Sequence, residues 1–257
     1  MKKLLYIFGF FFLTLFFSCS SSDGDGIDGS SSGSFDGVLL TRILEDTGES
    51  IFSYEEGNKL SRIGQYYVDV DDVQFTYSGD FITKWGFLND NGVISDYTTY
   101  NYTDGKITES RLYTYSGLLE INEWTYTSNI IIINILHKDT YNGVDSWRER
   151  TSKLYLNINN NVTKSEYFED NSLKQETTYL YDSKNHPYKN IRGFSLLGLW
   201  GNRNNILKET TTSYWGTSSY TDETKYSYEY NEFNFPKKST IINNNGSAEG
   251  TTLYYYN

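Results

Sequence analysis

Asp69, Asp71 and Asp72, in the stretch YYVDVDDV, are the tightest carboxylate group in this 257-residue chain. On a β-strand, residues two apart share a face, and a rise of about 3.3 Å per residue puts Asp69 and Asp71 some 7 Å apart. Paired acid and base carboxylates of a glycosidase work at such a separation, and a solvated strand edge shows the same pattern. Trp200, in the apolar stretch GFSLLGLWG (193–201), and Trp215 and Tyr220, in SYWGTSSYTDE, are candidates to stack on sugar rings. Aromatic residues on a sheet are also ordinary core residues. Trp147 lies in a further long connection, DTYNGVDSWRER.

Other chemistries lack their residues. His137 and His186 stand 49 positions apart with no HExxH spacing, and one cysteine excludes disulfides and thiolate metal clusters. No G-x-S-x-G elbow and no glycine-rich phosphate loop is present. The DxDG beginning at Asp23 opens like an EF-hand, yet Ile27 and Ser34 occupy positions that need oxygen ligands. The residues therefore predict no cofactor, no metal and no catalytic residue of a recognisable motif.

The single cysteine has a different use. Lys2 and Lys3 precede a 14-residue apolar run, Leu4 to Phe17, then Ser18 and Cys19. That run is too short for a span of roughly 20 residues and fits a secretory leader. The arrangement resembles the lipobox of bacterial lipoproteins, with Phe16 where leucine is usual; the alternative is an ordinary secretory signal. The resemblance implies that Cys19 becomes the first mature residue and carries acyl chains, so the expected partner is a membrane held through Cys19. Residues 1–18 are then a lipoprotein signal peptide, 19–36 an acidic Ser/Gly-rich tether, and 37–257 a single β-meander domain. Ser22-Asp23 weakly resembles an acidic signal that sorts such proteins to the cell surface.

Loss of the leader removes two lysines and takes the net charge from −11 to −13. Such a chain repels phosphate backbones, so nucleic acid is excluded as a partner. Tyr (25), Phe (15) and Trp (5) are abundant while Pro (2) and Met (1) are scarce, a composition suited to pleated sheets.

Those residues recur as aromatic-x-aromatic, polar turn, aliphatic: FSYEEGNKLSRI (52–63), FTYSGDFITKW (75–85), YNYTDGKITES (100–110), YLYDSKNHPYKN (179–190), YEYNEFNFPKKS (228–239) and the closing TLYYYN. Tyr54, Tyr77 and Tyr102 are 23 and 25 apart, and Tyr155–Tyr181 and Tyr230–Tyr256 are each 26 apart. That period suits an array of hairpins. Two-residue type I′ turns at Asn91-Gly92 and Asp104-Gly105 pair Asn89 with Ile94, Phe87 with Asp96, Trp85 with Thr98, Tyr102 with Ile107 and Tyr100 with Glu109. Alternation then puts Trp85, Phe87, Ile94, Tyr100, Tyr102, Ile107, Tyr113 and Tyr115 on one face and Ser110 on the other. An aromatic face without helices to cover it makes the meander curl into a barrel-like or half-barrel all-β sheet. A membrane-spanning barrel is the rival geometry. Against it stand the lipobox, the terminal Asn257, and charges such as Glu109 and Arg111. The loop 193–201 is either a ligand-gripping or membrane-touching loop or a plug in one end of the curl.

Tyr179-Leu180-Tyr181-Asp182 and Gly105-Lys106-Ile107 resemble, in degenerate form, the YD-type repeats of RHS proteins. The whole arrangement, and segment 181–210 most specifically, is similar to lipoproteins of the Bacteroidota carrying a domain of unknown function with a porin-like fold. The resemblance implies a β meander at the outer membrane and no activity. The expectation is a lipid-anchored, non-enzymatic binding or scaffolding module, for a glycan or another envelope protein. The alternative is a polysaccharide-active enzyme using Asp69 and Asp71; self-association through an unclosed sheet edge is a third reading.

Overall fold

The structure, a computed structural model, describes residues 37–66, 71–89, 91–141, 143–197, 202–243 and 246–257. Among them sixteen strands follow one another. The first eight are β1 (Leu40–Glu45), β2 (Gly48–Glu55), β3 (Lys59–Tyr66), β4 (Asp72–Ser78), β5 (Phe81–Leu88), β6 (Ile94–Thr103), β7 (Lys106–Thr114) and β8 (Gly117–Thr127). The second eight are β9 (Ile130–Tyr141), β10 (Val144–Leu156), β11 (Val162–Glu169), β12 (Ser172–Tyr181), β13 (Ile206–Trp215), β14 (Ser218–Tyr230), β15 (Pro236–Ile242) and β16 (Ala248–Tyr256). Each pairs antiparallel with its neighbours, and β16 pairs with β1 to close a barrel. The expected curl is thus complete. Closure also removes the free edge on which self-association would depend.

The repeated sequence unit is a ring of cross-strand pairs near one mouth. Tyr54 faces Leu60, Tyr77 Ile82, Tyr102 Ile107, Tyr126 Ile131, Leu156 Val162, Tyr181 Ile206 and Tyr230 Pro236. Tyr256 opposite Leu40 completes it across the seam. Leu40, Leu60, Ile82 and Val162 have no exposed surface. The tyrosine hydroxyls reach back one hairpin. Tyr54 donates to Leu40 O at 2.6 Å, Tyr102 to Ile82 O at 2.7 Å, and Tyr181 to Val162 O at 2.5 Å. Tyr256 donates to Pro236 O at 2.9 Å, and Tyr228, one inward position along from Tyr230, to Ile206 O at 2.9 Å. Burial holds these phenols well above their ordinary titration range.

A β-bulge sits beside the ring tyrosine in most of these hairpins, at Ser53/Tyr54, Thr76/Tyr77, Asn101/Tyr102, Leu180/Tyr181 and Glu229/Tyr230. Each bulge moves the register by one, which corrects several sequence-derived pairings. The Asp104-Gly105 turn has both residues at positive φ (51° and 73°) and Tyr102 opposite Ile107, as expected. Beyond the bulge, however, Tyr100 faces Ser110 instead of Glu109. Ser110 is therefore inside the barrel, where it accepts from Trp124 Nε1 at 3.4 Å. Tyr113 stacks on Tyr97 on the outer wall and Tyr115 is 92% exposed, so neither joins the inner face. Tyr155 also points outward, donating to Glu166 at 2.7 Å; Leu156 holds the place aligned with Tyr181.

Asn91-Gly92 does not make a two-residue turn. Asn89 closes a five-residue loop, accepting on Oδ1 from Asn91 N and Val93 N, with Gly92 at φ 71°. Trp85 still pairs with Thr98, but Leu88, not Asn89, faces Ile94. The same loop recurs at Asn157 and Asn231, with Asn160 and Asn234 at positive φ, and Asn243 Oδ1 likewise accepts from Ser247 N. A short asparagine amide satisfies two backbone donors, and Asn or Gly tolerates the left-handed fourth position.

The described parts of the β12–β13 connection, 182–197 and 202–205, lie at this mouth, at the level of the tyrosine ring. Asp182 pins its exit and return, accepting from Lys184 N, from Asn205 N and Nδ2, and from the Tyr230 hydroxyl. Asn58 donates to Asn190 O and accepts from Arg192; Arg192 also pairs with Asp80, and Tyr77 donates to Arg192 O. On the far side Asn185 donates to Phe233 O and Asn204 accepts from Asn161. Phe194, in a 3-10 turn (Phe194–Leu196), packs on Phe75 and Tyr188 with Ile191 and Leu197 buried nearby. Residues 198–201 lie outside the described residues; the described part of the connection, through Leu197, packs into the mouth as a plug. Burial inside it pushes His186 down to about 4.

Outward side chains include threonines, aromatic residues such as Tyr97, Tyr113 and Tyr255, and a series of ion pairs. Arg42–Glu49, Arg62–Asp72, Arg111–Glu109, Lys138–Asp145, Lys164–Glu166, Lys208–Glu223 and Lys238–Glu229 run round the wall. A membrane-spanning barrel shows lipid an apolar band about 25 Å tall; on this wall ion pairs stand among apolar residues such as Ile51 and Leu180. No helix among the described residues is long and apolar enough to cross a membrane.

Candidate ligand-binding mouth

The opposite mouth is built differently. Two of its hairpins are long: β9–β10, with strands of 12 and 13 residues, and β13–β14, with strands of 10 and 13. Exposed aromatic residues collect here: Tyr66, Tyr115, Tyr141, Trp147, Trp215 and Tyr220.

Of the residues singled out in the sequence, Trp215 (65% exposed) and Tyr220 (59%) are brought together. They flank the turn of one hairpin, with Trp215 opposite Ser218 and Tyr220 opposite Ser213. Alternation from the inward Glu209 and Thr211 puts both on the lumen side. Below them Thr211 faces Asp222 and Glu209 faces Thr224. Burial, reinforced by the charge of Asp222, raises the Glu209 carboxyl above its usual range, against a bond from Thr211 that lowers it. Trp147 stands on the outward side of β10, opposite Lys138, and lines no lumen.

The expected Asp69–Asp71 pair falls partly outside the described residues. Asp72 faces outward, bound to Arg62 and accepting from Gln65 N at 2.8 Å. Asp71 lies in the β3–β4 connection, and Asp69 lies outside the described residues, as do Cys19 and Trp200.

The lumen wall of β8–β11 holds a charged network that the sequence did not reveal. Glu120 Oε2 lies 3.1 Å from His137 Nδ1, and His137 Nε2 3.8 Å from Asp139 Oδ1. Asp139 contacts Arg148 Nε at 3.1 Å and Arg150 Nη2 at 4.0 Å, and Arg150 Nε reaches Glu169 at 3.3 Å. Tyr167 donates to Glu169, and Asn122 donates to Glu120 and Ser110. His137 and Asp139 continue the inward parity of Ile131, Ile133 and Ile135. Four successive isoleucines, Ile130 to Ile133, conceal that parity, and no apolar stripe marks the inner side of SWRERTS. Among the described residues no group of three or more His, Cys, Asp or Glu could hold a metal ion.

No protein-family profile matches the chain, and no curated protein does. Solved structures do. A porin-like protein from Bacteroides vulgatus superposes with a TM-score of 0.60 at 17% identity, covering 86% of this chain and 99% of that one. A porin-like protein from Bacteroides uniformis aligns with a TM-score of 0.45 at 12% identity, over 86% and 95%. The resemblance to YD-type repeats finds no counterpart in these comparisons, and what this chain has in common with the Bacteroides vulgatus protein is its fold.

Proposed function

We propose that the chain is a lipid-anchored, non-enzymatic binding module of a bacterial cell envelope, held through acyl chains on Cys19, with a glycan as ligand of the mouth opposite the plug. One observation carries the ligand class: Trp215 and Tyr220 stand exposed on the lumen side of one hairpin, above Asp222 and Glu209. Flat rings above hydrogen-bonding carboxyl groups suit the apolar face and hydroxyl edge of a sugar. An envelope location is supported by the leader before Cys19 and by the porin-like name of the Bacteroides vulgatus protein. Anchoring instead of spanning is supported by the ion-paired outer wall. Residues 37–40 enter at the plugged mouth, where Asn190 donates to Val38 O.

A glycan array with the chain from residue 20 onward tests the ligand. Binding lost in Trp215→Ala and Tyr220→Ala supports the reading. A blank array together with co-purification of an envelope protein would replace glycan by protein. Reducing-sugar release abolished by Asp69→Asn would replace the module by an enzyme. For the anchor, labelled palmitate should enter the native chain and not Cys19→Ser.

A further inference from the structure

We propose that the lumen wall of β8–β11 is a second subsite of the same mouth, which grips vicinal hydroxyls of an oligosaccharide between Asp139 and the arginines Arg148 and Arg150. The inference rests on the glycan reading above and extends it from the rim to a wall four strands away.

The network is an odd way to fill a barrel. At the plugged mouth the inner positions hold tyrosine, leucine and isoleucine; at the same face of β8–β11 they become Glu120, Asn122, His137, Asp139, Arg148, Arg150 and Glu169. Partly buried ion pairs contribute little net stability over apolar packing, so stability does not account for them. Nor is their hydrogen-bonding capacity used up. Among the described residues Asn122 Oδ1, Asp139 Oδ2 and Arg150 Nε are buried without a hydrogen-bond partner. The ion contacts of the last two, at 3.1 and 3.3 Å, lack hydrogen-bond geometry. Arg148 is half exposed to the mouth and touches Asp139 through Nε.

A carboxylate offers acceptors only, and a guanidinium donors only. Side by side they match two neighbouring hydroxyls, one donating to Asp139 and the other accepting from arginine. An anion is the poorer fit, because Glu120, Asp139 and Glu169 outnumber the two arginines and the chain is strongly acidic. Strand spacing of about 4.8 Å puts β10 some 19 Å round the wall from β14, so a ligand that meets both Arg148 and Trp215 is an oligomer.

Titration calorimetry with maltohexaose, cellohexaose, xylohexaose and their monosaccharides decides it. One hexasaccharide should bind and its monomer should not. Arg148→Gln and Asp139→Asn should each weaken that binding about tenfold, the loss of one or two hydrogen bonds, and Arg148→Gln, at a half-exposed side chain, should leave thermal unfolding unchanged. Arg148→Lys, which keeps charge but not the planar fork, should restore little. If either variant misfolds, Asn122→Ser, which removes the unpaired Oδ1 acceptor, takes its place with the same expectation. Unmodified affinity in the Arg148 and Asp139 variants alongside a loss in Trp215→Ala would overturn the wall subsite and leave the rim reading standing. Binding by none of the hexasaccharides would overturn both.

Discussion

Tyr256 faces Leu40 across the seam between β16 and β1, at the level where Tyr54 faces Leu60 and Tyr77 faces Ile82. The last hairpin position of the ring is thus filled by the two ends of the chain. Asn257 reinforces it, accepting from Leu39 N at 2.8 Å.

The ring hydroxyls are the first target. Tyr102→Phe removes the bond to Ile82 O and leaves that carbonyl without its side-chain donor. It should cost about 1–2 kcal/mol in denaturant unfolding. Tyr255→Phe, on the outer wall beneath Arg42, should cost much less. Equal effects would mean that the hydroxyl belt contributes nothing.

Loop closure by asparagine gives a second test. Asn231→Ala strips the acceptor from Phe233 N and Phe235 N and should cost about 1–2 kcal/mol, as for other side chains that cap backbone donors. Asn234→Gly, at φ 62°, should be neutral or slightly stabilising.

Gly86 is buried under the irregular start of β6. A Cβ there would lie 2.5 Å from Tyr97 Cβ and 2.6 Å from Asp96 O. Gly86→Ala should therefore destabilise by more than about 2 kcal/mol. At Gly79, with open space and φ +59°, alanine should cost only about 1 kcal/mol of backbone strain. Paired thermal melts separate the two.

Stability should also fall on mild acidification through His186. Its native value of about 4 lies below the ordinary 6.5, so between these values the unfolded chain binds the proton and the folded chain does not. The contribution is complete above pH 6.5 and is lost as pH falls toward 4. That loss is about 1–3 kcal/mol, and His186→Gln should flatten that part of the profile. The belt phenols, held above their ordinary range by burial, give the opposite slope in alkali: stability is lost as pH rises above about 10.

Much of the barrel was legible because the repeat is written in side chains that have one place to go. An aromatic-x-aromatic before a polar turn and an aliphatic after it fixes the inner face, as at Tyr100-Asn101-Tyr102 and Ile107. The bulges were not legible. One extra residue leaves no mark on composition, yet it moved Ser110 inside and Tyr113 outside. The closing seam was hidden for a related reason: the repeat's last member is split between Tyr256 and Leu40. At the aromatic mouth, Trp215 and Tyr220 could be picked out as large aromatics beside a glycine turn. The wall of Glu120, Asp139 and Arg148 could not, because its charged residues follow apolar ones on the same strands without a change of period.

The seam also sets the order of biogenesis. A meander zips up locally, hairpin by hairpin, but the Leu39–Asn257 contact joins residues 218 positions apart and must wait until the final strand is available. Until then the sheet has two naked borders. Truncation within β16 should therefore yield aggregates instead of a loosened barrel.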